Sequence, residues 1–236
     1  MLLAVFFLLS TNSTIDSLKA LLARRPQLPV VLELHNEYLH NQDFDSALQL
    51  LQFYETRLGS NDRAVVGLLL GDTYLFSGNI LSARETYLRT VIGYPRSEHA
   101  NNALEMLYLL ETTRGDTVAL KRLGSALCFF QTQQYETARD SLKRLLTTDA
   151  APHAFYYLAR VYEEQGDIPL AIGTLRELNE KYPDHTIHAA NLYLVELYWR
   201  SDNSELAREV LEEIVVSAPH SIYAVRAREM LTALSP

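Results

Sequence analysis

The feature that most restricts the fold of this 236-residue chain is a tyrosine–alanine–proline spacing that occurs three times. In each copy an alanine follows a tyrosine by nine residues, and a proline follows the alanine by twelve. A spacing repeated at this length indicates one structural unit used several times along the chain. The three copies are Tyr74, Ala83 and Pro95; Tyr162, Ala171 and Pro183; and Tyr198, Ala207 and Pro219.

Two weaker copies keep the aromatic–alanine spacing and lack the proline. They run from Tyr38 to Ala47 and from Phe129 to Ala138. We call the first residue of each copy the frame aromatic and the alanine the frame alanine. In the three strongest copies, Gly, Asp or Asn stands four and five residues after the frame aromatic, where a turn is expected. Apolar residues recur three and four apart, and no segment alternates with period two, so we expect about 12–13 helices and no sheet.

The repeated pattern resembles the tetratricopeptide repeat family, whose unit is a helix–turn–helix of about 34 residues. The resemblance implies an all-α, right-handed α-solenoid in which each repeat contacts mainly its neighbours. We expect one solenoid over residues 14–236, with serine N-caps at Ser97 and Ser221. Its predicted parts are repeats at 28–61, 62–95, 117–150, 151–183 and 184–219, a degenerate repeat at 96–116, and a capping helix at 220–234.

The first nine residues are all apolar, and a polar run begins at Ser10. Nine residues are too few to cross a bilayer, which needs about 20 residues in a helix. We expect residues 1–13 to be either a secretory signal peptide or an apolar N-terminal segment that caps the first helices. The first interpretation favours a periplasmic or otherwise exported protein, and the second favours a cytoplasmic one.

Composition and motifs argue against nucleic-acid binding, enzymatic activity and a bound cofactor or metal. The formal net charge of −8 disfavours binding to a nucleic-acid backbone, which requires clustered Lys and Arg. The sequence has no Gly-rich phosphate loop and no nucleophile elbow, so we expect no enzyme and no cofactor. His185 and His188 are three residues apart, but two histidines without a third ligand make a weak metal site, and we expect no metal.

Candidate binding residues follow from the family resemblance. In the family, the first helix of each unit lines a groove that binds the partner. Trp199 and Arg200 stand out because Trp and Arg are enriched among binding hot spots, although Trp199 could equally pack at the end of its helix. The groove positions, carried over residue by residue, are Asn36, His40, Asp72, Phe76, Arg160, Glu163, Glu164, Glu196, Trp199 and Arg200.

The expected function is a non-enzymatic protein–protein interaction scaffold that binds a protein or peptide, with no small-molecule substrate. The longer units, with a serine and two alanines after the proline, resemble bacterial cell-envelope members of the family. Those members include outer-membrane assembly and cell-division-coordinating proteins. This resemblance favours a periplasmic, membrane-associated complex. The alternatives are a cytoplasmic regulatory repeat protein and, less favoured, a hydrolase whose catalytic residues meet only in three dimensions.

Overall fold

A computed structural model describes residues 14–25, 27–185, 187–217 and 219–233. The predicted signal peptide or apolar segment at 1–13 lies outside the described residues. The described chain forms thirteen α-helices and no strand, which confirms the all-α fold. In chain order the helices are α1 (residues 14–24), α2 (Leu28–His40), α3 (Phe44–Glu55), α4 (Ser60–Phe76), α5 (Ile80–Gly93), α6 (Glu98–Thr112), α7 (Thr117–Gln131), α8 (Tyr135–Lys143), α9 (Ala151–Glu164), α10 (Ile168–Lys181), α11 (His188–Arg200), α12 (Ser204–Ser217) and α13 (Ile222–Ala233).

The frame alanines lie in the core. Each of the five has 0% of its surface exposed, because a small side chain lets two helices approach closely where they cross. The residue four positions later lies one turn further along the same face and is at most 1% exposed. The five pairs are Ala47 and Leu51, Ala83 and Tyr87, Ala138 and Leu142, Ala171 and Leu175, and Ala207 and Leu211.

Each of the five hairpins that contain a frame aromatic and a frame alanine turns through a residue with positive φ, which stands four positions after the frame aromatic. Two of the five are glycines, which adopt this conformation without steric cost. The other three carry a side chain in the left-handed region. The five are Gln42 (φ 60°), Gly78 (78°), Gln133 (59°), Gly166 (82°) and Asp202 (57°). The turn at residues 113–116, between α6 and α7, has no such residue among those described, and it lies in the predicted degenerate region.

In most of the hairpins, a side-chain cap lies at the start of the second helix. Asp43, Asn79 and Asp167 each accept a hydrogen bond from the backbone N–H three residues ahead, at 3.0–3.3 Å. The two serine caps predicted from the sequence are confirmed. Ser97 Oγ accepts from the His99 N–H at 3.2 Å, and Ser221 Oγ accepts from the Ala224 N–H at 3.0 Å.

The chain divides into two compact units, residues 1–134 and 135–236. In unit 1, α4 packs against α3, α5, α6 and α7. A Cβ added at Gly124 of α7 would lie 2.4 Å from the Leu75 carbonyl oxygen, so α7 approaches the α4 backbone closely. In unit 2, each helix from α8 to α13 packs against the next one, and α11 also contacts α13. The predicted repeat at 117–150 thus contributes α7 to unit 1 and α8 to unit 2.

The titratable groups buried in unit 1 include His35 and Cys128. His35 is 1% exposed, its Nε2 lies 2.9 Å from Thr73 Oγ1, and burial lowers its pKa to about 4. Cys128 is fully buried, with its Sγ 4.0 Å from the Leu39 carbonyl oxygen, and burial raises the thiol pKa to about 11. In the described part of the chain, every helix is too short or too polar to span a bilayer.

Candidate functional site

The strongest candidate site is a set of polar and aromatic side chains on the first helices of the unit 2 hairpins. These helices are α9 and α11, and the set continues onto α13, the helix that follows the last hairpin. We call the set the first-helix surface of unit 2. Its members are Tyr156, Arg160 and Glu163 from α9, Tyr193, Glu196, Trp199 and Arg200 from α11, and Arg226 from α13.

Glu163 joins α9 to α11. Its carboxylate accepts one hydrogen bond from the Tyr193 hydroxyl and another from the Arg200 guanidinium, and its side chain is 19% exposed. Burial and then the hydrogen bond to Glu163 raise the pKa of Tyr193, because both disfavour the phenolate. Tyr193 therefore stays protonated and keeps donating to Glu163.

Arg160 lies one turn before Glu163 and is surrounded by rings. Its Cζ is 6.0 Å from the centroid of Tyr156, which meets Tyr193 edge to face at 6.1 Å. Burial works to lower the pKa of Arg160, but nearby tyrosines and Glu163 outweigh it and raise the pKa above its ordinary value. Arg160 is therefore a permanently charged group held in a half-buried position.

The charge pairing continues from α11 to α13. Glu196 Oε1 lies 3.5 Å from Arg226 Nη2, and both side chains are about half exposed. Trp199 is 40% exposed, and the Arg200 side chain is 58% exposed. Glu164 is also exposed, and it accepts a hydrogen bond from the Tyr135 hydroxyl at 3.2 Å. Six of the ten predicted groove residues therefore lie on α9 and α11 of unit 2: Arg160, Glu163, Glu164, Glu196, Trp199 and Arg200.

The other four predicted residues lie in unit 1. Asn36 and His40 are exposed on α2, one turn apart. Asp72 on α4 is half-buried, and the Tyr87 hydroxyl donates to its Oδ1 at 2.6 Å. Burial raises the pKa of Asp72 to about 7, against the hydrogen bond from Tyr87, which lowers it.

Phe76 differs from the expectation, because it is only 7% exposed. Residues of α7 approach the chain on both sides of Phe76. Gly124 of α7 lies against Leu75, and the side chain of Lys121 lies against Gly78. The packing of α7 on this end of α4 accounts for the burial of Phe76. This helix follows directly on the degenerate repeat at 96–116, and the repeat pattern did not indicate where it would pack.

His185, one of the two histidines considered as a metal pair, makes hydrogen bonds with nearby residues. His185 Nδ1 accepts from the Ile187 N–H at 3.1 Å, and its Nε2 lies 2.8 Å from Asn179 Oδ1, so both ring nitrogens are engaged. The side chain of His188 lies outside the description. Within the described ranges, no group of three or more His, Cys, Asp or Glu side chains is arranged to hold a metal ion.

Tyr156 and Tyr193 are not among the groove residues predicted from the sequence. The family positions cover only one turn around the frame aromatic, and both tyrosines lie one turn nearer the start of their helices. Tyr156 precedes Arg160 by four residues, a spacing that places two side chains on the same face of a helix. The four-residue spacing could therefore have been used to predict the contact between Arg160 and the Tyr156 ring.

Comparison with known proteins supports the repeat assignment in the middle of the chain. The family model for the tetratricopeptide repeat matches residues 122–149 and 153–185. These segments correspond to the repeats predicted at 117–150 and 151–183. No curated protein sequence matches the chain.

Several solved structures are similar to the chain at low identity. MamA is 18% identical, with 85% of this chain and 97% of that chain covered and a TM-score of 0.40. PilW, described as a widely conserved type IV pilus biogenesis factor, is 18% identical, with 86% and 98% covered and a TM-score of 0.40. The TPR2AB domain of yeast Sti1, solved as a pHSP90 complex, is 13% identical, with 96% and 92% covered and a TM-score of 0.43.

The tetratricopeptide repeat family is thus supported by the family match between residues 122 and 185, and the helical hairpins on either side keep the same core and turn positions.

Proposed function

We propose that this chain is a non-enzymatic scaffold that binds a partner protein or peptide on the first-helix surface of unit 2. One observation carries the proposal. Glu163 holds Tyr193 and Arg200 together across two successive first helices, while Trp199 remains exposed on the same helix as Arg200. Side chains already held in position lose less conformational entropy on binding, so this arrangement favours affinity for a partner.

The chemistry of the surface favours a protein partner. Trp, Tyr and Arg are the residues that most often dominate the energy of protein interfaces. Here they stand beside carboxylates, so both signs of charge are available to orient a partner segment. A small molecule would need an enclosed cavity, whereas these side chains lie along an exposed helix face.

The contacts give less support to a hydrolase. Such an enzyme needs a nucleophile activated by an adjacent base. Cys128 is buried and its pKa is raised to about 11, so the thiol is protonated at neutral pH. The Glu163 carboxylate already accepts hydrogen bonds from Tyr193 and Arg200, so both partners that could assist it as a base are engaged in holding it.

The test begins with the partner recovered by the full chain in a pull-down, identified by mass spectrometry. Its affinity is then measured for Trp199→Ala and for Arg200→Glu. Truncating an aromatic anchor costs about 2 kcal/mol or more, so we expect Trp199→Ala to weaken binding about thirtyfold. Arg200→Glu should slow association and alter its salt dependence.

The matched control is Arg176→Glu, which makes the same charge change at an exposed position of α10 in the same unit. It should bind as the parent does. The melting temperature of each variant separates lost contact from lost stability. Unchanged affinity in folded Trp199→Ala and Arg200→Glu variants would contradict this site.

We propose further that the chain works in the bacterial cell envelope. The apolar run at residues 1–9 and the resemblance to envelope repeat proteins support export. Mass spectrometry of the protein from fractionated cells tests this. An N-terminus near residue 14 in the periplasmic fraction is expected. An intact Met1 confined to the cytoplasm would favour the cytoplasmic regulatory alternative.

A further inference from the structure

Unit 1 contains an open apolar cavity of about 690 Å³ between α1, α2 and α3. Its floor is formed by Leu22, Leu34 and Leu50, one from each helix. Aromatic rings close its ends, and one of them, Phe53, is 52% exposed. An aromatic ring that stays half exposed beside an open cavity retains apolar area that a partner could bury.

Two cations mark the ends of this cavity. Lys19 Nζ lies 5.7 Å from the ring centroid of Tyr38, next to the α2–α3 turn. At the other end, Arg57 Cζ lies 3.6 Å from the Phe53 centroid, and Arg57 donates to the Phe53 carbonyl oxygen. Both cations are therefore placed by ring contacts. Ser46 lines the first end, and the length from Ser46 along the axis of α3 to Arg57, two residues past the end of that helix, is roughly 16 Å.

The charge of the lining is opposite to that of the whole molecule. The chain carries a formal net charge of −8, yet the described residues that line the cavity include two cations and no carboxylate. An apolar floor bordered by a cation at each end complements a segment with apolar residues in the middle and acidic residues at both ends.

We propose that this cavity is a docking groove for an amphipathic helix of a partner protein, with acidic residues at both ends of its apolar face. About 11 helical residues span the roughly 16 Å between Ser46 at one end of the cavity and Arg57 at the other. A helix laid in a groove between two helices presents side chains at i, i+3, i+4 and i+7 to the apolar floor. This groove is a different site from the first-helix surface of unit 2, and neither proposal depends on the other.

Two synthetic probes test the groove on the full chain. One is the fluorescein-labelled peptide acetyl-EELAALLAQLEE-amide, and the other replaces its four Glu with Lys. By fluorescence anisotropy at low salt, the acidic peptide should bind at least tenfold more tightly than the basic one. Added salt should reduce this difference, because the rim cations are exposed.

The variant Lys19→Glu with Arg57→Glu should weaken binding of the acidic peptide at least tenfold and strengthen binding of the basic one. The matched control, Arg84→Glu with Arg122→Glu, makes the same charge change at exposed positions of unit 1 outside the groove and should leave the tenfold preference intact. Far-ultraviolet circular dichroism confirms that each variant is folded.

A second variant tests the apolar floor without changing charge. Ala23 is exposed on α1 at the edge of the cavity, so Ala23→Trp should fill the groove and weaken both peptides at least fivefold. Equal affinity for the two peptides, or a Lys19→Glu/Arg57→Glu protein that binds like its control, would overturn the proposal. So would peptide-independent dimerisation of the chain that Ala23→Trp abolishes, because a second copy would then be the occupant.

Discussion

Single residues in the left-handed region control the hairpin turns, and two of these residues are glutamines. A side chain in this region costs about 1–2 kcal/mol, because Cβ crowds the following carbonyl oxygen. Glycine at the same place avoids that cost, although it loses more entropy on folding. The glutamine turns are therefore positions at which the chain can be stabilised.

Gln42→Gly should stabilise unit 1 by about 0.5–1 kcal/mol, since Gln42 has φ 60° and its side chain is exposed. Urea unfolding followed by far-ultraviolet circular dichroism measures the change. Gln42→Ala is the control, because it keeps a Cβ and should give no such gain. An equal gain from Ala would show that the backbone conformation is not the cause.

Asp72 makes the stability of unit 1 depend on pH. Its pKa is about 7 in the folded chain, above the ordinary value of 3.8. Between these values the unfolded chain gives up the proton first, so the stability that Asp72 contributes falls as pH rises towards 7. Asp72→Asn cannot ionise and can still accept from Tyr87.

The urea midpoint of Asp72→Asn relative to the parent should therefore rise between pH 4 and pH 7 and stay higher at pH 8. Asp45→Asn, a change at an exposed position of α3, is the control and should show no such trend. A difference between Asp72→Asn and the parent that does not vary with pH would contradict the proposed titration.

Replacing a helical glycine by alanine should change stability in opposite directions at Gly124 and at Gly173. At Gly124 in α7, a Cβ would lie 2.4 Å from the Leu75 carbonyl oxygen, which is backbone and cannot rotate away. At Gly173 in α10, a Cβ would meet nothing within 4 Å. We expect Gly124→Ala to destabilise its unit by about 1–3 kcal/mol and Gly173→Ala to stabilise its unit by about 0.5–1 kcal/mol. Thermal melts measure both, and equal effects would show that α7 does not approach α4 this closely.

The helical hairpins could be predicted from sequence because their determinants are local. The frame alanines, the turn positions and the caps at Ser97 and Ser221 each depend on residues within about ten positions of one another. The packing of α7 on α4 could not be predicted, since it joins Gly124 to Leu75 across some fifty residues that include the degenerate repeat at 96–116.

The candidate site was predicted only in part for the same reason. Arg160, Glu163 and Arg200 follow from their position in the repeat. Their pairing depends on which first helices become neighbours and on side-chain rotamers, which no repeat spacing encodes. The contact of Tyr193 with Glu163 joins residues thirty positions apart.

The whole molecule consists of two compact units, each with its own buried residues, and we expect its unfolding to depart from two-state behaviour. Trp199 is the chain's single tryptophan and lies in unit 2, so its fluorescence reports that unit, whereas circular dichroism reports all helices. The two urea transitions should have different midpoints. In Gly124→Ala, the part of the circular dichroism transition that reports unit 1 should shift to a lower urea concentration. The tryptophan fluorescence transition, which reports unit 2, should stay where it is in the parent. Coincident transitions in both proteins would show a single cooperative unit.

The burial of Cys128 makes this protein convenient for site-specific labelling. It is the only cysteine in the chain, it has no exposed surface, and its raised pKa keeps the thiolate scarce at neutral pH. A maleimide dye should therefore react with a cysteine engineered on the surface and leave the native thiol intact while the fold persists. Fluorophores could be attached to either unit without first removing the natural cysteine, and a native thiol that begins to react would itself report the opening of α7.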